Sequence, residues 1–184
     1  IKNFHGRPIF IKTSLPKRIS RFTRELNENS ILHSLKIAKE VRKLCLNSGN
    51  FGLLDEIVGF SHKGSGCIFR EFDAYPKIKN RFLMPFFSIY SFDYKNPGEE
   101  LIIEQISEKT GISIGNLLKW FLKNIIEFWC EAVKKKGLIL EMHAQNTLLE
   151  IDSDFKPMRI VVRDFCSVGI DFKIRKSLKL HTNF

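Results

Sequence analysis

Residues 140 to 165 read LEMHAQNTLLEIDSDFKPMRIVVRDF, and they hold the side chains best suited to chemistry. Glu141, His143, Gln145 and Asn146 stand together in one short polar stretch, and Arg163 and Asp164 follow two runs of strand composition. Glu141 and Asp164 are hard oxygen donors of the kind Mg²⁺ takes, usually one or two carboxylates with water and substrate phosphates filling the other positions. His143, Gln145 and Asn146 add neutral donors and acceptors that can orient phosphate or carboxylate oxygens. Taken singly, each residue is better explained by turn hydrogen bonding or a plain ion pair. The order of the set favours a site.

Such a site needs a fold that returns Asp164 to His143. The runs TLLEI and MRIVVRDF, joined by the turn-rich DSDFKP, predict a hairpin that does so. Before them, Ser113 to Lys136 predicts the strongest helix in the chain, capped by Ser113 and ended by Gly137. Leu117, Phe121, Ile125, Phe128 and Ala132 mark its inner face, with Trp120 and Trp129 assigned to the core. A short apolar run, LILE, then delivers the chain into the polar loop.

Upstream, RPIFIKTSL predicts a strand ending near Ser14, followed by a basic turn. ILHSLKIAKEVRKLCLNSG then predicts a helix that buries Leu32, Leu35, Val41 and Leu44 and stops at Gly49. GSGCIFREFDAYP and RFLMPFFSIYSF predict two buried strands, and DYKNPGEE a loop leading to the helical half. The division is an N-terminal strand and helix part over 1–112, then helix, loop and hairpin over 113–184, within one partial domain spanning 1–184.

A chain of 184 residues with 43% hydrophobic content and 17 phenylalanines is globular in composition. No apolar stretch is long enough to cross a bilayer, which points to a cytoplasmic protein without a membrane partner. Cys45, Cys67, Cys130 and Cys166 are widely spaced, so they are expected to be reduced and mostly buried. The formal charge of +10 suits a polyanionic partner such as a nucleoside triphosphate. Its lysines and arginines are dispersed and show no nucleic-acid-binding signature, so most are read as a solvated face.

Two families share features with the late cluster. A His, an Asn three places on, a hairpin and an Asp resemble the catalytic loop and metal-binding Asp of kinase-like phosphotransferases. No Asp stands at the position of a kinase catalytic base, which disfavours that alternative. The nearer likeness is to the NRPS-independent siderophore synthetases of the aerobactin synthetase type. GLILEMHAQNTLLEI followed by RIVVRDF resembles their GxxLExHxQNxLL and RD motifs, FIKTSLPKRISRFTREL resembles their KLSL…ITSAxR stretch, and GCIFREF a strand between them.

The resemblance implies an α+β fold, an antiparallel sheet with helices that is palm-like and distantly kinase-like, from a larger multi-lobed enzyme. It also implies ATP and Mg²⁺ as cofactors, and as substrates a carboxylic acid such as citrate together with an amine or hydroxyl acceptor, joined through an acyl-adenylate. Lys12, Arg24, His143 and Asn146 would contact the triphosphate or the acid, Arg24, His143 and Gln145 would serve catalysis, and Glu141 and Asp164 would hold the metal. A homodimer is left open. The family's earlier phosphate loop has no counterpart here and the chain begins at Ile1, so a fragment or a non-catalytic remnant that keeps nucleotide binding is the other expectation.

Overall fold

A computed structural model describes residue 6 and residues 8–19, 22–46 and 48–182, without the side chains of residues 16, 18, 19 and 22–24. The chain runs β1 (Ile9–Thr13), β2 (Leu15–Ile19), β3 (Phe22–Arg24), α1 (Glu28–Leu46), β4 (Phe51–Leu53), β5 (Glu56–His62), β6 (Ser65–Glu71) and β7 (Phe82–Pro85). A 3₁₀ turn over Phe86–Tyr90 leads to α2 (Ile102–Thr110), α3 (Ile114–Lys136), β8 (Leu138–Ile139), β9 (Thr147–Ile151), β10 (Pro157–Val162), β11 (Gly169–Ile170) and α4 (Phe172–Ser177).

The fold is α+β, with a mixed sheet where an antiparallel one was expected. Strands in the order β1-β6-β5 make an antiparallel sheet, and β4-β10-β9-β7 make a second, in which β10 runs antiparallel to β9 but parallel to β4. The parallel pair is possible because β4 and β10 are joined not by a hairpin but by the long stretch from β5 to β9, with α2 and α3, which carries the chain back to the same end of the sheet. The predicted hairpin is β9–β10, with Ile160 opposite Leu149 and Val162 opposite Thr147.

Helix α3 forms where its caps place it. Ser113 Oγ accepts from the Asn116 N–H, and Gly137 ends the helix at φ 61°. A Cβ at Gly137 would lie 2.7 Å from Arg175 Cγ and 2.9 Å from the Asp171 carbonyl oxygen, so close packing as well as φ calls for glycine. Leu117, Phe121, Phe128 and Ala132 are buried against the mixed sheet, where Phe128 stacks on Phe51 at 4.5 Å between ring centroids. Ile125 is only partly buried. Trp129, expected in the core, is 39% exposed, because the helix is apolar on more than one side and only one side meets the sheet.

Helix α1 buries Ile31, Ser34, Ile37, Ala38, Val41, Leu44 and Cys45. Leu32, expected inside, is 46% exposed, and the true stripe runs through Ile31 and the polar Ser34. The predicted second buried strand is also shorter than expected. It stops at Pro85, gives way to the 3₁₀ turn and leaves Phe82 exposed. All four cysteines are free, but only Cys45 is buried, with the other three partly accessible. Among the described residues no helix is long and apolar enough to cross a membrane.

Candidate functional site

The polar loop between β8 and β9 is a single tight turn. The N–H groups of Asn146 and Thr147 both donate to the His143 carbonyl, at 2.9 and 3.0 Å. The imidazole closes the same turn, since His143 Nδ1 accepts from the N–H groups of Gln145 and Asn146, each at 3.3 Å. An acceptor at Nδ1 leaves the proton of the neutral ring on Nε2, which makes the exposed His143 a hydrogen-bond donor toward a ligand. Asn146 is buried beside it, while Gln145 and Glu141 are exposed.

The far end of the hairpin holds this turn in place. Arg163 donates its backbone N–H to the Asn146 carbonyl at 3.0 Å and its Nε to the Gln145 carbonyl at 3.1 Å. The next residue, Asp164, has φ 68°, in the left-handed region that side chains other than glycine rarely adopt. Backbone strain of this kind collects at functional sites, where the surroundings fix it.

Asp164 meets the N-terminal sheet. Lys12 Nζ on β1 lies 2.5 Å from Asp164 Oδ1 and 3.1 Å from Cys166 Sγ. Burial alone would push the Asp164 carboxyl up, but Lys12, with Arg70 beyond it, holds the carboxyl below the usual carboxylate range. Burial opposes the Lys12 ammonium as well, yet Asp164 and Cys166 raise it above its ordinary value. Both side chains stay partly open, at 27% and 30% of full exposure.

Behind this pair lies a polar support that the sequence did not reveal. Cys166 Sγ approaches Ser34 Oγ at 3.5 Å, Ser34 Oγ donates to Glu56, and Arg70 Nη2 donates to Glu56 Oε1 at 2.6 Å. Ser34, Glu56 and Arg70 are all buried. The available signal was a pair of neighbouring charges, Arg70 and Glu71, inside the otherwise apolar CIFREF, and a lone serine on the inner stripe of α1.

The fold thus brings Lys12, His143, Gln145, Asn146 and Asp164 to one end of the hairpin, with Glu141 exposed at the entry to the loop. The backbone of Arg24 lies in β3, but its side chain falls outside the described residues. Among the described residues no group of three or more His, Cys, Asp and Glu side chains gathers in a way that could hold a metal. A Mg²⁺ ion would therefore rest on at most two carboxylates and draw its other ligands from phosphate and water, a donor set that suits it.

The sequence matches no protein-family model and no curated protein. Solved structures do match. The petrobactin biosynthesis protein AsbB from Bacillus anthracis superposes with a TM-score of 0.74 at 21% identity, over 99% of this chain and 32% of that one. This chain shares the fold of that part of AsbB. The aerobactin synthetases IucC and IucA from Klebsiella pneumoniae give TM-scores of 0.68 and 0.66 at 17% and 16% identity. They are matched over 92% and 93% of this chain, which spans about a third of the length of each of the three structures. The fold agrees with the resemblance carried by the loop and RD motifs.

Proposed function

We propose that this chain is the nucleotide-binding segment of an ATP-dependent siderophore synthetase, which joins a polycarboxylic acid such as citrate to an amine or hydroxyl through an acyl-adenylate. The observation that carries the reading is the Lys12–Asp164 contact at 2.5 Å, which joins the strand holding the motif lysine to the end of the motif hairpin across 152 positions of sequence. The fold shared with AsbB, IucC and IucA supports it.

In the first half-reaction a carboxylate oxygen of the acid attacks the α-phosphorus of ATP, and the bond to the departing pyrophosphate breaks. In the second, the amine or hydroxyl attacks the acyl carbon, AMP leaves, and the nucleophile gives up a proton. Both reactants of the first step are anions, so fixed positive charge must be in place as they meet. Lys12 supplies a point charge, His143 Nε2–H a donor, and Asn146 an amide held by the turn.

A bound Mg²⁺ would supply further charge neutralisation, and Asp164 with Glu141 are the residues that would hold it. Asp164 engaged in this way would release Lys12 toward a phosphate. No enzyme nucleophile is required, and with only Glu141 and His143 available as bases in EMHAQN, a kinase-like phosphotransferase fits less well.

Because the chain spans about a third of the matched structures, turnover is expected to need more of the fold than these residues provide. The test is pyrophosphate release and hydroxamate trapping with di- and tricarboxylates, on this chain and on a chain extended to the length of those structures. Losing one preorganised donor costs about two to three orders of magnitude in rate, so turnover is expected only from the extended chain. Robust turnover by the short chain would refute the incompleteness. None by either, with nucleotide binding retained, would favour a non-catalytic remnant.

A further inference from the structure

A second concentration of charge lies on the outer side of α1, turned away from Ser34 and the Lys12–Asp164 pair. Lys36, Lys39 and Lys43 are exposed there, at spacings of three and four that set them on one side of the helix, whereas Ser34, Ala38, Val41 and Cys45 are buried on the other. They border a cavity of about 450 Å³, a volume within the range of small-ligand sites.

Arg175 of α4 and His181 after it complete the lining. Arg175 is 2% exposed and held from two directions, its Nη1 donating to the Lys136 carbonyl at 2.6 Å and its Nε to the His181 carbonyl at 2.7 Å. Lys136, at the end of α3, lies 3.4 Å from Glu40 on α1. A buried guanidinium and this ion pair therefore tie α1, the end of α3 and the α4 segment into one wall.

The charges of the cavity do not cancel. Lys36, Lys39, Arg42, Lys43 and Arg175 line it with a single carboxylate, that of Glu40. Glu40 is already shared, 2.8 Å from Lys43 as well as paired with Lys136. Burial would raise its carboxyl, but these two ammonium groups hold it below the usual carboxylate range. Arg42 is committed to Asp55 and lies over the Tyr75 ring. Among the described residues neither Lys36 nor Lys39 has a carboxylate within ion-pair distance. Like charges around a concave surface add their fields, because the protein wall displaces water that would screen them. A basic face that only keeps a protein in solution needs neither a cavity nor a buried arginine.

We propose that this cavity binds a small polyanion, a molecule carrying two or more phosphate groups, between α1 and the α4 segment. Lys36 and Lys39 meet the phosphates as mobile point charges, and Arg175 is the fixed positive wall behind them. A lone carboxylate would leave most of the excess charge unbalanced. Single-stranded nucleic acid is held along a groove that tracks its backbone, whereas these cations border one cavity. The site shares no residue with the proposed nucleotide site and does not depend on the synthetase reading.

Calorimetric titration with inorganic tripolyphosphate in the presence of EDTA tests it, since EDTA removes the divalent cation on which nucleotide binding at Asp164 would depend. One variant combines Lys36→Gln with Lys39→Gln, both exposed positions, and the other is Lys12→Met, which disables the proposed nucleotide site. Circular dichroism melts establish that each variant folds. The wild type and Lys12→Met are expected to bind tripolyphosphate one-to-one with equal affinity, and the double glutamine variant to lose about tenfold or more. Orthophosphate should bind the wild type at least tenfold more weakly, because one group reaches fewer of the cations.

No binding to the wild type, undiminished affinity in the folded glutamine variant, or a loss in Lys12→Met instead, would overturn the site. Orthophosphate binding as tightly as tripolyphosphate would overturn its preference for several phosphates. A single-stranded RNA oligonucleotide that binds more tightly than tripolyphosphate, through the same two lysines, would overturn the small-molecule assignment in favour of nucleic acid.

Discussion

The hairpin takes part in two ion pairs that differ in burial and in the number of contacts they make. In its middle, Arg159 on β10 faces Glu150 on β9, with Nε 2.5 Å from Oε2 and Nη2 3.0 Å from Oε1, and a further bond of 2.7 Å from Nη2 to the Pro76 carbonyl. These side chains are 1% and 3% exposed. At its open end, Lys12 meets Asp164 through one contact, with both side chains more than a quarter exposed. A bidentate pair sealed between strands fixes register and cannot exchange partners. A single-contact pair at a strained backbone position can give up its carboxylate to a metal and its ammonium to a phosphate.

The largest expected effect comes from breaking the closed pair. Glu150→Ala leaves Arg159 charged and unpaired in the core, and should cost about 3–5 kcal/mol of stability by urea unfolding, enough to unfold a marginal domain. Replacing both partners, as Glu150→Leu with Arg159→Met, should recover most of that loss, because an apolar pair of similar size removes the stranded charge. A double variant no more stable than the single one would show that the pair does more than fill and seal the sheet.

The same operation at the open end should act differently. Lys12→Met should change stability by about 1 kcal/mol or less, as partly exposed pairs do, while weakening nucleotide binding at least tenfold in calorimetry. A stability loss comparable to that of Glu150→Ala would erase the distinction between the two pairs.

The pH dependence sharpens the contrast further. The Asp164 carboxyl is held below its ordinary value of 3.8, so its contribution to stability is complete above that pH and is lost as pH falls through the lower folded value. The Lys12 ammonium is raised above 10.5, so its contribution is complete below that pH and is lost as pH rises through the higher folded value. The stability difference between wild type and Lys12→Met should therefore stay flat between these limits and shrink below about pH 4. Urea midpoints from pH 3 to 7 would check it, and a difference that grows in acid would contradict the pairing.

The smallest effect is expected at Ser113, whose hydroxyl caps α3 through a 3.4 Å bond to the Asn116 N–H. Ser113→Ala should lower stability by about 0.5–1 kcal/mol and leave ligand binding unchanged, since the His143 turn is held by Arg163 rather than by the start of the helix.

The closed and open pairs also mark what the sequence could reveal. Local signals were legible: the Ser113 and Gly137 caps, the HAQN turn, and a hairpin bounded by DSDFKP. The open end was reached through motif resemblance, and Lys12 and Asp164 do meet there. The closed pair passed unnoticed, because Glu150 and Arg159 sit in runs read only as strands and only register shows that they face each other. Ser34, Glu56 and Arg70 were hidden for the same reason, since their partners lie 22 and 14 residues away and only the folded chain brings them together. Strand β4, with three residues, is too short for periodicity, and its parallel partner β10 lies more than a hundred residues on. Helix faces misled where apolar residues exceeded what one face can bury, as at Leu32 and Trp129.

Calorimetric titration of Mg²⁺-ATP into the wild-type chain and into Asp164→Asn tests the central claim most directly. Asparagine keeps the size of the side chain and removes the charge that would hold a divalent cation opposite Lys12. The account predicts weak, Mg²⁺-dependent binding to the wild type that falls at least tenfold in the variant, with the fold intact by circular dichroism. Metal-dependent binding that survives the substitution unchanged would remove Asp164 from the site and contradict the account.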